Sequence, residues 1–410
     1  MHPNTPQCRY NTIVLALNMD RFTQTIDSAI QSKDYASLAT VFSFGPDSWQ
    51  AVGQGEQRSL AAHFIKSAVA APGFLPAAFS SGQMMHVMLE TLKHLPSTVD
   101  GAADNKLRQM IFDYKVNEEG EYAEAARILA GTRMEDNEQS VYYMTPQDRC
   151  DVFVKIAECF LEEDEIVESD SAVTKAGGVV SAIANPEQHM TLILRYKSTY
   201  ARVLDANRKF LQAASRYHDL SQSSGEIIRA EDLLGMLGRA ATCAILAPSG
   251  PQRQRVLGHI YKDERLSQLD AIAEFETQSV ILTKMYKHHI LQPEELKKFE
   301  SSLQAHQKAV MGDGLTIMER GVVEHNMIAV SKIYDSIYFS ELALVLGVSS
   351  EKAEKIAARM IMDGSLAGSI DQVEGLLQFE CEDTNQMVWD KAVSSFCEDL
   401  NKVTDSIKAL

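Results

Sequence analysis

The sequence predicts a mainly α-helical chain in three successive parts: an arm of paired helices, a compact helix-turn-helix module closed by a hairpin, and a terminal helix suited to a bundle. Three observations lead there. From about residue 20 to 310, apolar residues recur with the 3.6-residue period of amphipathic helices. A short helix, a tight turn, a second helix and two strand-like runs then follow one another in "YFSELALVLGVSSEKAEKIAARMIMDGSLAGSIDQVEGLLQF", residues 338–379. The last 22 residues carry an apolar seam at alternating spacings of four and three.

The arm is clearest in "TPQDRCDVFVKIAECFLEED". Thr145 suits an N-cap, Pro146 the first helical position, and Asp148 the positive end of the helix dipole. Phe153, Ile156, Ala157, Phe160 and Leu161 then form one apolar stripe. In "ILRYKSTYARVLDANRKFLQAASRYHDLS" two further stripes, Ile193-Tyr196-Tyr200-Leu204 and Phe210-Ala213-Ala214-Tyr217-Leu220, flank a turn at "DANRK". "YAEAARIL", after the charged turn "NEEGE", places Tyr122, Ala125, Ala126 and Leu129 as Phe210, Ala213, Ala214 and Tyr217 are placed, 88 residues later. That offset equals about two helical-hairpin repeats of 34–47 residues, and paired small residues let neighbouring helices approach closely. The pattern predicts a tetratricopeptide-like solenoid. "GFLPAAFSSGQ", "LPSTVDGAADNK" and "PSGPQRQR" read as breaks between helices.

After residue 310 the pattern changes. "MGDGLTIMERGVVEHNMIAVSKIYDS" reads as one long helix entered through a Gly-Asp-Gly loop. Ser340 is placed to cap a helix carrying Leu342, Val345 and Leu346, which Gly347 stops. Ser349 or Ser350 caps the next, with Ala353, Ile356, Ala357 and Met360 inward, and Asp363-Gly364 ends it. "SLAGSID" and "GLLQFE" then pair around "QVE". This is the order of a winged helix. In "WDKAVSSFCEDLNKVTDSIKAL" the residues Trp389, Val393, Phe396, Leu400, Val403, Ile407 and Leu410 form an a/d heptad seam that needs partner helices to cover it. The expected boundaries are an arm over 1–195, a globular part over 196–380 (helical bundle 196–310, winged helix 311–380), and a bundle helix over 381–410.

The 410 residues carry 39 basic and 56 acidic side chains, a formal charge of −17. Such a surface repels phosphate backbones and anionic membranes unless a local basic patch overrides it. The six cysteines are scattered without short pairing, as in reduced thiols of a cytosolic or nuclear protein. No apolar run reaches membrane-span length, and "TIVLALNM" is too short and lacks the cleavage site of a signal peptide. The expectation is a soluble chain of the cytoplasm and nucleus.

Motifs for catalysis or cofactors do not assemble. Phosphate-loop and dinucleotide fingerprints are missing, "GQGEQR" lacking its last glycine, and neither H-E-x-x-H nor C-x-x-C occurs. His288 and His289, read as helical neighbours, project about 100° apart and make a poor metal pair. Glu324 and His325 read as a half-exposed pair in an amphipathic helix, and Ser349-x-x-Lys352 as a cap. No catalytic residue, metal ligand or cofactor is expected.

The winged helix raises the question of nucleic acid. Across 331–380 four basic residues (Lys332, Lys352, Lys355, Arg359) face eight acidic ones, and the wing "AGSIDQVEG" has no base. A DNA reader needs the opposite balance. A protein-binding module offering an edge strand fits better, and a nucleic-acid regulator is disfavoured.

A helical arm running into an acidic winged helix and a terminal bundle helix resembles the PCI-domain subunits of the proteasome lid, the signalosome and a translation initiation factor. "KIAECFLEEDE", "YARVLDANRKFLQAASRYHDLS", "YKDERLSQL", "EHNMIAVSKIYDSI", "AEKIAARMIMDGSLAGSIDQVEG" and "FE" resemble, at matching spacing over about 107–380, the family of COP-nine signalosome fourth subunits. The resemblance implies a non-catalytic scaffold in the complex that removes the ubiquitin-like Nedd modifier from cullins. It places the isopeptidase chemistry in a zinc metalloprotease partner subunit, and it makes other PCI subunits, the metalloprotease pair and cullin-RING ligases the partners, with no nucleic acid and no membrane. The arm would face the substrate, and the winged helix and terminal helix would hold the complex together. The expected interface residues are Leu366, Ile370 and Leu376 on the wing and Trp389, Val393, Phe396, Leu400, Val403, Ile407 and Leu410 on the seam. A PCI subunit of the proteasome lid is the alternative in the same architecture.

Overall fold

The computed structural model describes residues 20–42, 54–71, 74, 101–140, 142–223, 228–272, 275–310, 312, 314–380 and 385–408. "TIVLALNM", most of "GFLPAAFSSGQ", the start of "LPSTVDGAADNK", Cys8, Cys381 and Leu410 lie outside them. The chain divides into two compact units, 1–203 and 204–410. The boundary falls inside one helix, Met190–Ala206, eight residues beyond the division expected at 195.

In the first unit, α1 (20–32) and α2 (Tyr35–Val41) are joined by a turn in which Asp34 accepts from the Ser37 amide at 3.2 Å. With α3 (Gln54–Ala70) and α4 (Gly101–Tyr114) they bury Ile26, Leu38, Phe64, Ile65, Leu107 and Ile111 in one core. The Gly-Ala-Ala-Asp-Asn-Lys stretch expected as loop is therefore helix: Asp104 sits in its first turn, where the dipole favours it. The "NEEGE" turn is a π-helical turn, Lys115–Glu119, closed by Gly120 at φ +70°. Lys115 is buried beneath it and donates to Glu119, Glu121 and Glu124 at 3.1, 2.7 and 2.8 Å.

Next come α5 (Tyr122–Ala130), α6 (Pro146–Glu162), α7 (Ile166–Val180) and α8 (Met190–Ala206). Thr145 caps α6 as expected, its hydroxyl oxygen accepting from the Asp148 amide at 3.3 Å. Ala125, Ala126, Ile156, Ala157, Phe160 and Val173 share a core in which the paired alanines are fully buried. Small side chains there let α5 lie close on α6.

The second unit repeats this device. Ala213 and Ala214 of α9 (Phe210–Ser221) are fully buried where it packs on α10 (Ala230–Leu246). α11 (Pro251–Tyr261) follows, its proline in the first turn, so "PQRQR" starts a helix instead of extending the break. α12 (Gln278–Tyr286), α13 (Pro293–Ser302) and α14 (Ile317–Ser331) complete the bundle. α14 opens on a capping box: Thr316 accepts from the Glu319 amide at 3.1 Å and Glu319 accepts from the Thr316 amide at 2.8 Å.

Beyond α14 lie β1 (Ser336–Tyr338), α15 (Phe339–Leu346), α16 (Ser350–Met362), β2 (Gly368–Asp371) and β3 (Leu376–Phe379). The sheet order is β1-β3-β2, all antiparallel, with Ile337 opposite Leu377 and Ile370 opposite Leu377 on the other side. The order is that of a winged helix. α15 starts two residues earlier than a Ser340 cap requires, with Tyr338 at the N-cap. Gly347 ends it at φ +69° and Ser349 stands at the N-cap of α16. A final helix, α17 (Asn385–Lys408), closes the described chain.

Candidate functional site

Two features that read as chemical in the sequence are structural. His288 and His289 lie past the end of α12, His288 at φ +55°, so they are not helical neighbours. The Glu324–His325 pair is buried, not half-exposed, because this face of α14 packs inside the bundle. Glu324 accepts from the Ser249 amide and hydroxyl at 3.3 and 2.8 Å and from Arg320 at 3.0 Å. His325 donates Nε2–H to the His289 carbonyl at 2.9 Å and stacks on His288. Beside it Asn326 brackets Leu291, its Oδ1 accepting from the amide and its Nδ2 donating to the carbonyl. Glu324, His325 and Asn326 each bond to backbone, which ties α14 into the helices before it. Among the described residues, no cluster of three or more His, Cys, Asp or Glu is arranged to hold a metal, and no helix is long and apolar enough to cross a membrane.

What remains is surface. On the winged helix, the central strand β3 gives Leu377 and Phe379 to a core with Ile337, Leu342, Ile356, Met360 and Leu366. Leu366 is only 5% exposed, so it belongs to the module's own packing and is withdrawn from the expected interface. The reason is positional: it follows α16 directly, where its backbone amide donates to the Met360 carbonyl and points the side chain inward. Ile370 and Leu376 are half-buried, on an outer strand and the central strand respectively.

The periodicity argument missed other apolar side chains. Tyr338 at the end of β1, Leu344 on α15, Met362 at the end of α16 and Val373 at the wing tip are all exposed, Leu344 by 84% and Val373 by 97%. One signal was legible. "FSELALVL" is apolar nearly all round, which is more than a single buried face uses. At the tip, Asp371 Oδ1 accepts from the Val373 and Glu374 amides at 2.9 and 3.2 Å, and Gly375 at φ +64° closes the turn, presenting Val373 outward. On α16 Lys355 donates to Glu351 at 2.6 Å, and Gln372 of the wing donates to Glu354 at 2.9 Å.

α17 is the larger surface. Trp389, Val393, Phe396, Leu400, Val403 and Ile407 are all exposed, from 41% to 68%, with the seam along one side of the helix. A heptad seam this apolar and this uncovered leaves a contiguous apolar face in water, which is unfavourable.

Residues 283–380 match the PCI domain family, and residues 102–228 match the family described as PSMD12/CSN4, N-terminal. The chain is 37% identical over 286 residues to the COP9 signalosome complex subunit 4 of Dictyostelium discoideum, covering 70% of this chain and 68% of that one. It is 38% identical over 294 residues to the subunit 4 of Arabidopsis thaliana, covering 70% of each. The chain belongs to the COP9 signalosome subunit 4 family. The subunit 4 of Emericella nidulans is 35% identical over 315 residues, 74% of this chain and 73% of that one. As a subunit 4 family member, the chain has its PCI match ending at residue 380, the last residue before the segment that leads into α17.

Proposed function

We propose that this chain is a non-catalytic scaffold subunit of the signalosome, the complex that removes the Nedd modifier from cullins in cullin-RING ligases. The single observation that carries this reading is the uncovered heptad seam of α17, which has no use in an isolated chain. Its partners are the terminal helices of other PCI subunits and of the metalloprotease pair that supplies the isopeptidase chemistry. The winged helix adds the outer strands β1 and β2 as edges, with Ile370, Leu376, Tyr338 and Val373 beside them. The arm within 1–195 faces the cullin-RING substrate, and the working compartments are cytoplasm and nucleus. The domain plan is arm, PCI part over 196–380 and bundle helix from 381, with Leu410 continuing the seam outside the described residues.

Deletion of residues 387–410 tests it. The expected result is a chain that stays folded but no longer co-purifies with the complex or its de-modifying activity. Unchanged assembly refutes the bundle role. Recovery of the intact chain with proteasomal ATPases, without cullin de-modifying activity, replaces the signalosome with the proteasome lid.

A further inference from the structure

A groove in the second unit runs along α11, with the ring of Tyr286 from α12 in its wall. It is an open groove of about 650 Å³, within the size range of ligand sites. Its basic lining comes from Arg255, His259 and Lys262, spaced four and three apart and so on one face of the helix, all exposed. Among the described residues that line it, none is acidic. Gly258 gives it depth, since a Cβ there would stand 3.2 Å from Cε2 of Tyr286. Tyr286 is itself stacked on Tyr261 at 4.5 Å between centroids, and the Lys287 ammonium lies 5.9 Å from the Tyr261 ring. The groove thus has an aromatic wall held in place and cations on its rim.

Its charges stand apart from those of a second groove, in the first unit. There Arg195 is held by Glu158 and Asp151, Arg202 by Glu162, and Lys155 by Asp151. No ion pair among the described residues holds Arg255, His259 or Lys262, and Asp263, next in sequence, is engaged by Arg265 at 2.7 Å. In a chain of net charge −17, an uncompensated basic row brings no benefit to the isolated fold.

We infer that this groove docks an extended acidic peptide segment of a partner protein. Arg255 and Lys262 are seven helical residues apart, about 10 Å along the axis. An extended strand covers that distance in about three residues, so carboxylates three or four positions apart reach both ends. A side chain between them lies against Tyr286 over Gly258, which suits an apolar or aromatic residue. Nucleic acid is the poorer occupant, because one short basic row neutralises few phosphates while the rest of the chain repels them.

The test uses the full chain and a fluorescein-labelled peptide containing Glu-Asp-Phe-Asp-Glu, read by fluorescence anisotropy at about 0.1 M salt. Saturable binding is expected. It should weaken at least tenfold in the R255E/K262E double variant, and equally when the peptide carries Gln and Asn in place of Glu and Asp. The peptide substitution keeps the test independent of how the variant folds. Absence of binding, equal binding of the neutral peptide, or equal binding by the double variant overturns the site. Tighter binding of a single-stranded oligonucleotide of equal charge overturns the choice of occupant.

Discussion

The guanidinium of Arg253 donates to the carbonyl of Ile245 at 2.9 Å and to that of Ala244 at 3.2 Å, so the first turn of α11 caps the last turn of α10. A buried cation faces the negative end of a helix dipole there and supplies donors to carbonyls that have no partner within the helix. Burial pulls the arginine pKa down to about 10, against the attraction of Glu324. Arg253→Leu therefore leaves the carbonyls unsatisfied and Glu324 with less compensation. A loss of roughly 2–4 kcal/mol is expected in urea unfolding. A change below about 0.5 kcal/mol would mean the cap contributes nothing.

His325 makes stability depend on mild acid. Burial is the main cause holding its pKa down to about 4, with Arg253, His288 and Lys332 acting in the same direction against the hydrogen bond to His289. The unfolded chain takes up this proton near pH 6.5 and the folded chain only near 4. Stability is therefore complete above about pH 6.5 and falls as pH drops towards 4, by at most about 3 kcal/mol from this residue. Burial also lowers His288 and His218, which act in the same sense. His325→Gln keeps a donor and removes the titration. The difference between urea midpoints at pH 7 and pH 5 should shrink in this variant, and an unchanged difference would exclude His325 as a source.

Gly238 sets helix propensity against packing. Alanine favours a helix interior by about 1 kcal/mol, but a Cβ here would stand 2.5–2.7 Å from three ring carbons of Phe275. The aromatic ring is 6% exposed and boxed in, so it cannot swing away cheaply. Overpacking of this kind costs about 1–3 kcal/mol. Gly238→Ala is thus expected to lower the melting temperature despite its better propensity, whereas a rise would show that the ring yields.

The seam of α17 should be silent in the free chain and decisive in the complex. Phe396→Asp with Leu400→Asp removes apolar groups that are already 65% and 50% exposed. Stability of the isolated chain should move by less than about 0.5 kcal/mol. Incorporation, read by co-purification, should be lost. A marked destabilisation of the free chain would mean that the helix folds back on its own body.

Local signals located the elements well wherever a side chain's own backbone decides its role. Thr145, Gly347 and the paired alanines of α5 and α9 stand as their neighbours in sequence imply, because capping, positive φ and helix periodicity act over four residues or fewer. Ser340 failed as a cap because α15 enters directly from β1, whose pairing with β3 sets where the helix begins. Leu366 failed as an interface residue for a similar reason: its apolar character is the same whether it faces a partner or its own core.

The sequence by itself determined the helical periods, the order of the winged helix, the acidic balance that argues against DNA, and the uninterrupted seam from Trp389 onward. These follow from composition and from interactions local in the chain. Only the tertiary structure decided that Glu324 and His325 are buried against residues 36 and 75 positions away. It also decided that Arg255, His259 and Lys262 border a groove walled by Tyr286. Burial and juxtaposition depend on which helices meet, and no local period encodes that.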